Sequence, residues 1–140
     1  MYRKSLCVLF ALVAPAVAMA SSCDVPLDLN QRQMINLSDP LYQPSNPNAG
    51  RMVKVDFGRE RYTLEVLGTD IKMEGKYEYR NIQRGLGEIN MTERYPDGNA
   101  TYTLTLKCLT DQSGMFLYTQ HDGPVEPAQR QNSGRWTLVP

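Results

Sequence analysis

The segment Tyr102-Thr103-Leu104-Thr105-Leu106-Lys107-Cys108 alternates without a fault. Tyr102, Leu104, Leu106 and Cys108 share one phase; Thr103, Thr105 and Lys107 share the other. Successive side chains of a strand point to opposite faces, so this is a half-buried β-strand; a helix would scatter the same apolar residues around its axis. The alternation recurs. Val53, Val55 and Phe57 alternate with Lys54 and Asp56; Tyr62, Leu64 and Val66 with Arg61, Thr63 and Glu65. Ile71, Met73, Gly75, Tyr77 and Tyr79 alternate with Lys72, Glu74, Lys76, Glu78 and Arg80; Ile89, Met91 and Tyr95 with Asn90, Thr92 and Arg94. Residues 115–119 and 135–139 are two further short candidates. No segment sustains a 3.6-residue apolar period, and the polar phases mix Lys, Arg, Glu and Thr, as one wet face of an antiparallel sheet does.

Between these runs stand turn formers: Phe57-Gly58-Arg59, Gly68-Thr69-Asp70, Arg84-Gly85, Pro96-Asp97-Gly98-Asn99 and Asp111-Gln112-Ser113-Gly114. Such short links join neighbouring antiparallel strands. The expected fold is all-β: a single antiparallel meander of seven to eight strands over residues 51–140, closing into a small barrel or folding as a sandwich. Gly75, in mid-strand, is expected to mark a bend or bulge. Residues 121–133 hold Gly123-Pro124 and Glu126-Pro127 and no apolar period, and read as a loop of about a dozen residues.

Residues 24–50 have a different texture. Asp39-Pro40, Gln43-Pro44-Ser45-Asn46-Pro47-Asn48 and Gly50 are breakers, and only residues 25–29 and 34–37 have the make-up of short elements. Residues 21–50 therefore read as an ordered N-terminal arm. Ahead of it, Met1-Tyr2-Arg3-Lys4 is basic, residues 6–19 are apolar but for Pro15, and Ala18-Met19-Ala20 supplies an A-x-A exit. That is the pattern of a secretory signal peptide over residues 1–20. The apolar run is short for a bilayer span, and nothing after it is long enough, so the mature chain is expected to have no transmembrane span.

Export sets the redox context. Of three cysteines, Cys7 lies in the signal, leaving Cys23 and Cys108 as an even pair in an oxidising compartment. A disulfide between them would close a loop of about 85 residues and contribute about 4–5 kcal/mol on the chain-entropy account. The competing reading is a lipid anchor on Cys23, since Ala20-Ser21-Ser22-Cys23 has small residues before the cysteine; it lacks the leucine of a bacterial lipobox and leaves Cys108 without a partner. Localisation is thus expected to be periplasmic or secreted. Loss of Arg3 and Lys4 from the 15 basic side chains leaves 13 against 15 acidic ones, a net charge of −2. There is no basic stripe to attract nucleic acid.

Little points to catalysis. The single histidine, His121, stands beside Asp122 in turn-like His-Asp-Gly-Pro; Ser113 and Ser133 offer hydroxyls, but no G-x-S-x-G elbow accompanies them. One histidine and two paired cysteines leave no expected metal site, and no glycine loop for a phosphate or dinucleotide cofactor is present. Asn36-Leu37-Ser38, Asn90-Met91-Thr92 and Asn99-Ala100-Thr101 match the glycosylation triplet, which matters only in a eukaryotic secretory route.

Two features depart from an ordinary strand pattern. Glu93 is in phase with Met91 and Tyr95, hence inward; it is either a rim residue or a ligand-orienting carboxylate needing a partner inside the barrel. Tyr62, Tyr77, Tyr79, Tyr95 and Tyr102 share the inward phase, with Tyr118 and Trp136 nearby. Buried phenols need partners, so these tyrosines either pair within a filled core or line a pocket. The candidate ligand-binding residues are Tyr77, Tyr79, Glu93 and Tyr102. A carboxylate-dependent hydrolase using Glu93 is the enzymatic alternative.

The strand-turn rhythm from Arg51 to Pro140, with Gly75-Lys76-Tyr77-Glu78-Tyr79, the 102–106 strand and Gly134-Arg135-Trp136-Thr137-Leu138, resembles small exported calycin-type barrels, the broad lipocalin and MoaF-like group. In lipocalins the G-x-W motif belongs to the first strand, whereas Gly134-Arg135-Trp136 is in the last, so no ligand site transfers. Ser113-Gly114-Met115-Phe116 is faintly similar to the Ser-Gly turn of periplasmic lysozyme inhibitors, also small disulfide-linked barrels. The expected function is a non-enzymatic exported binding protein without cofactor. An inhibitor- or immunity-type module with an envelope or extracellular protein partner, acting through residues 42–50 and 121–133, is favoured over a small-ligand binder with a tyrosine-lined pocket.

Overall fold

A computed structural model describes residues 22–41 and 46–140. The signal segment 1–20 with Cys7, and residues 42–45 of the 42–50 segment, lie outside the described residues. The strands are β1 (Gln33–Ser38), β2 (Met52–Phe57), β3 (Arg61–Val66), β4 (Lys72–Gln83), β5 (Leu86–Tyr95), β6 (Gly98–Thr110), β7 (Ser113–Asp122) and β8 (Arg130–Leu138). Each pairs antiparallel with its sequence neighbours, and β1 pairs with β8 from Met34↔Leu138 to Ser38↔Gly134, so the meander closes as a barrel and not as a sandwich. Among the described residues there is no helix, hence none long and apolar enough to cross a membrane.

The barrel begins earlier in the chain than residue 51. Its closing strand, β1, comes from the segment read as an arm, where Met34 and Asn36 point inward and are buried. The last strands are also longer than their apolar residues indicate. β7 reaches Asp122 and β8 starts at Arg130, which cuts the expected loop of about a dozen residues to 123–129. The inward residues that extend them, Gln120, Arg130 and Asn132, are polar, so the apolar alternation stops before the strand does.

The interior is graded along the axis. At one end lie Phe57, Ile89, Leu106, Trp136 and Leu138, all buried. The N-terminal arm seals this end: Cys23, Val25 and Leu29 are buried in the same cluster, and Cys23 is disulfide-bonded to Cys108 on β6 with their Cα atoms 6.0 Å apart. A lipid anchor would need the same sulfur. Tyr79 Oη donates to Pro26 O at 2.6 Å and Asn81 Nδ2 to the same oxygen at 3.1 Å, so β4 also holds the arm. Gly85, at φ 71° in the β4–β5 turn, accepts from Cys108 N at 3.1 Å; a Cβ there would be 3.1 Å from Cys108 Sγ. Only glycine meets both the left-handed backbone and that approach without strain.

Gly75 is not a bulge. It stands in continuous register between Tyr62 and Glu93, and the β4–β5 register shifts elsewhere, between Asn81 and Gln83. A Cβ at Gly75 would lie 2.8 Å from the Tyr62 ring and hydroxyl and 2.1 Å from Thr92 O. The glycine makes room for a tyrosine.

Candidate functional site

The opposite end of the barrel, where the β1–β2, β3–β4, β5–β6 and β7–β8 connections lie, is not filled. A cavity of about 230 Å³ runs inward there. Its walls include Val53, Val55, Leu64, Met91, Glu93, Tyr102, Leu104 and Phe116; Arg51, Ile71 and Val125 at the lip are exposed, so it reaches the surface.

Glu93 is buried and gathers three phenols in the cavity wall. Its Oε2 accepts from Tyr62 Oη at 3.2 Å and from Tyr102 Oη at 3.1 Å, and its Oε1 from Tyr95 Oη at 2.7 Å. The Tyr62 and Tyr102 hydroxyls are themselves 3.1 Å apart. Three strands converge here: β3 supplies Tyr62, β5 supplies Glu93 and Tyr95, and β6 supplies Tyr102. The missing side chain of Gly75 on β4 lets the Tyr62 ring cross to the carboxylate. A buried carboxylate is tolerated only with such donors. In return it weighs on the phenols. Burial first, and the Glu93 charge second, push Tyr62, Tyr95 and Tyr102 well above the ordinary tyrosine range. All three remain protonated donors at neutral pH.

The lip is built from β7, β8 and their connection. Tyr118 packs on Tyr102 with ring centroids 4.9 Å apart and donates to Gln120 Oε1. Burial pushes its phenol up to about 12, against the pull of the nearby Arg130 charge. Gln120 Nε2 donates to Ala128 O at 2.9 Å, and Arg130 Nη1 to Val125 O at 2.8 Å and Pro127 O at 3.2 Å, so two inward side chains hold the 123–129 loop over the opening. Asn132 reaches Asn46, whose own amide donates to Asp39 O and Leu41 O, anchoring the β1–β2 connection beside it.

Among the described residues, two buried side-chain polar atoms have no hydrogen-bond partner: Asn36 Oδ1 and Arg130 Nε. Both residues line this cavity. Asn36 is 4% and Arg130 8% exposed, so neither atom is served by bulk water. Leaving a buried donor or acceptor unmade costs about 1–3 kcal/mol. Among the described residues Arg130 makes no ion pair with a carboxylate.

Of the four sequence-predicted ligand residues, Glu93 and Tyr102 meet in the cavity wall. Tyr77 and Tyr79 do not line it. They lie toward the sealed end, where Tyr77 Oη donates to Gly58 O at 2.6 Å and Tyr79 Oη to Pro26 O, and burial lifts Tyr79 to about 12. Arg130, Asn36 and Tyr118 were not on that expected set. Their signal is phase: Arg130 and Asn132 fall in step with Trp136 and Leu138, and Asn36 with Met34. Among the described residues the hydrogen-bond partners of Glu93 are all phenols, from Tyr62, Tyr95 and Tyr102. Ser113 and His121 stand at opposite ends of β7, and His121, a strand residue rather than a turn residue, bonds Thr103 Oγ1 at 2.8 Å on the outer face.

The molecule thus belongs, by architecture, to the closed eight-stranded up-and-down barrels with an accessible interior. No protein-family model, curated protein or solved structure matches the chain.

Proposed function

We propose that this is an exported, non-enzymatic binding protein whose barrel takes a small amphipathic molecule into its open end. The observation that carries the reading is the unfilled, surface-reaching cavity with two buried polar atoms, Asn36 Oδ1 and Arg130 Nε, waiting in its wall. Apolar walls with a few fixed polar groups are what small-molecule sites consist of. The volume limits the guest. An apolar cavity of about 150 Å³ holds benzene, so about 230 Å³ holds roughly nine non-hydrogen atoms. That is below the roughly 300 Å³ at which drug-sized sites begin. Export is supported by the signal pattern and by a disulfide, a bond that persists in oxidising compartments. The calycin-type resemblance belongs to the same proposal, because an eight-stranded up-and-down barrel is the form lipocalins use.

The protein-binding reading keeps one specific observation. Leu37, Met52, Met115 and Leu117 are exposed on the outer phase of β1, β2 and β7, with Leu37 opposite Met52 and both Leu37 and Met115 opposite Arg135. This is an apolar stripe of the kind that partners cover.

The cavity-filling variant Val66→Phe separates the two readings, because Val66 is buried and lines the cavity. Hexan-1-ol at 10–100 times its Kd is expected to stabilise the unaltered protein against heat by about 1.4–2.7 kcal/mol. The same alcohol is expected to leave the variant unmoved. Equal stabilisation of both proteins would remove the cavity reading, and binding of a protein partner to the outer stripe would be indifferent to the substitution.

A further inference from the structure

We infer that the molecule held in this cavity carries an anionic head, a carboxylate, seated against the guanidinium of Arg130. The inference rests on the small-ligand reading above and adds the charge and the anchor. Three charged side chains line the cavity: Arg51, Glu93 and Arg130. Their balance is positive, and their states of engagement differ. The Glu93 carboxylate already receives three phenol hydroxyls, from Tyr62, Tyr95 and Tyr102, and has little left to offer a cation. Arg130 is nine-tenths buried, and one edge of its guanidinium is spent on neutral carbonyls, Val125 O and Pro127 O. Among the described residues its Nε–H has no acceptor and the guanidinium makes no ion pair with a carboxylate.

A guanidinium whose Nε–H is open pairs best with a planar carboxylate, in charge-assisted bonds that neutral acceptors do not match. Arg130 begins β8 at the open end and exposed Arg51 lines the same cavity, so the head lies near the mouth and an apolar tail runs down between Val66, Leu64, Met91 and Phe116. The Tyr118 ring, 6.0 Å from the Arg130 guanidinium carbon, braces the cation at the correct end of that path. The tyrosine-bound Glu93 lies in the cavity wall. A guest with a positive head would meet Arg51 and Arg130 on entry and a carboxylate already bonded by three phenols in the wall. The expected ligand class is therefore a small organic acid with an apolar body of up to about nine non-hydrogen atoms, scaled as above.

Three probes of matched tail and different head test this by titration calorimetry on the unaltered protein: hexanoate, hexan-1-ol and hexylammonium. Hexanoate is expected to bind about tenfold tighter than hexan-1-ol, the advantage of a charge-assisted bond over a neutral one, and hexylammonium weakest. In Arg130→Gln, checked by its β-sheet circular dichroism, the hexanoate-to-hexanol ratio is expected to fall to about one. Hexylammonium binding tightest would overturn the inference by making Glu93 the anchor. Equal binding of hexanoate and hexan-1-ol would overturn it while leaving the cavity reading intact. A ratio preserved in Arg130→Gln would overturn the assignment to Arg130. Failure of all three probes to bind would remove both the inference and the reading beneath it. Should Arg130→Gln not fold, the order of the three probes on the unaltered protein still decides.

Discussion

Glu93→Ala is expected to destabilise the barrel by about 4 kcal/mol. The substitution strips the acceptor from the hydroxyls of Tyr62, Tyr95 and Tyr102 at once. Each buried donor left unmade costs about 1–3 kcal/mol, and relief from burying the carboxylate offsets part of the sum. Glu93→Gln keeps one acceptor oxygen and is expected to cost less than half as much. Urea unfolding of the two variants checks the order; an Ala variant within 1 kcal/mol of the parent would show that the cluster does not stabilise the barrel. The same cluster sets an alkaline limit. The pKa values of Tyr62 and Tyr102 are raised in the folded state, chiefly by burial and then by Glu93. Their contribution to stability is complete below the unfolded tyrosine value near 10, and it is lost as pH rises above that value toward the folded pKa. There the unfolded chain releases protons that the folded one retains, so stability should fall by about 1.4 kcal/mol per pH unit for each of the two. Tyr95, only partly buried, adds less. Thermal melts between pH 9 and 11.5 should show the break.

Removal of the disulfide is expected to be as costly. Cys23 and Cys108 are 85 residues apart in sequence, and opening so long a loop costs about 4–5 kcal/mol on the chain-entropy account. Total stabilities of single domains are about 5–15 kcal/mol. The paired variant Cys23→Ser, Cys108→Ser should therefore unfold at about 2 M less urea, for an m of about 2 kcal/mol/M. The packing gives the loss a location. Val25 and Leu29 cover the apolar end of the barrel, and Tyr79 and Asn81 hold Pro26 O; with the bond gone these contacts alone keep the arm in place. Hydrogen exchange should rise first at residues 22–32 and at the β4–β5 turn. Oxidised and reduced proteins unfolding within 0.5 kcal/mol of each other would contradict this role for the arm.

The parts of the fold legible in the sequence were those where burial is apolar. β2 to β6 announce themselves because Val, Leu, Ile and Tyr occupy every second position against charged neighbours, and the Cys23–Cys108 pairing follows from the cysteine count once residues 1–20 are read as a signal. The inward direction of Glu93 was equally legible, from its phase with Met91. What escaped was the polar end of the barrel. Gln120, Arg130 and Asn132 point inward yet carry none of the apolar signature, so β7 and β8 looked shorter than they are and the connection between them longer. Residues 34–37 were legible as a short element of the arm, but with Asn36 in the inward phase nothing marked them as the closing strand of the barrel. The division of the tyrosines was not legible at all: Tyr77 and Tyr79 share the inward phase with Tyr62 and Tyr102, and only the register, with Gly75 facing Tyr62 and the arm facing Tyr79, sends one pair to the carboxylate and the other to backbone carbonyls. The polar residues that hid the strands are the ones that line the cavity.

The central claim is that the open end of the barrel holds a small molecule. The most direct measurement is a titration of isotope-labelled protein with hexanoate, followed by nuclear magnetic resonance at backbone amides and methyl groups. Saturable shifts at Leu64, Val66, Met91, Tyr102, Phe116 and Arg130, with none at the outer-face Leu37, Met115 and Leu117, are the result predicted. Shifts confined to the outer face, or none inside the barrel at saturating probe, would contradict the claim.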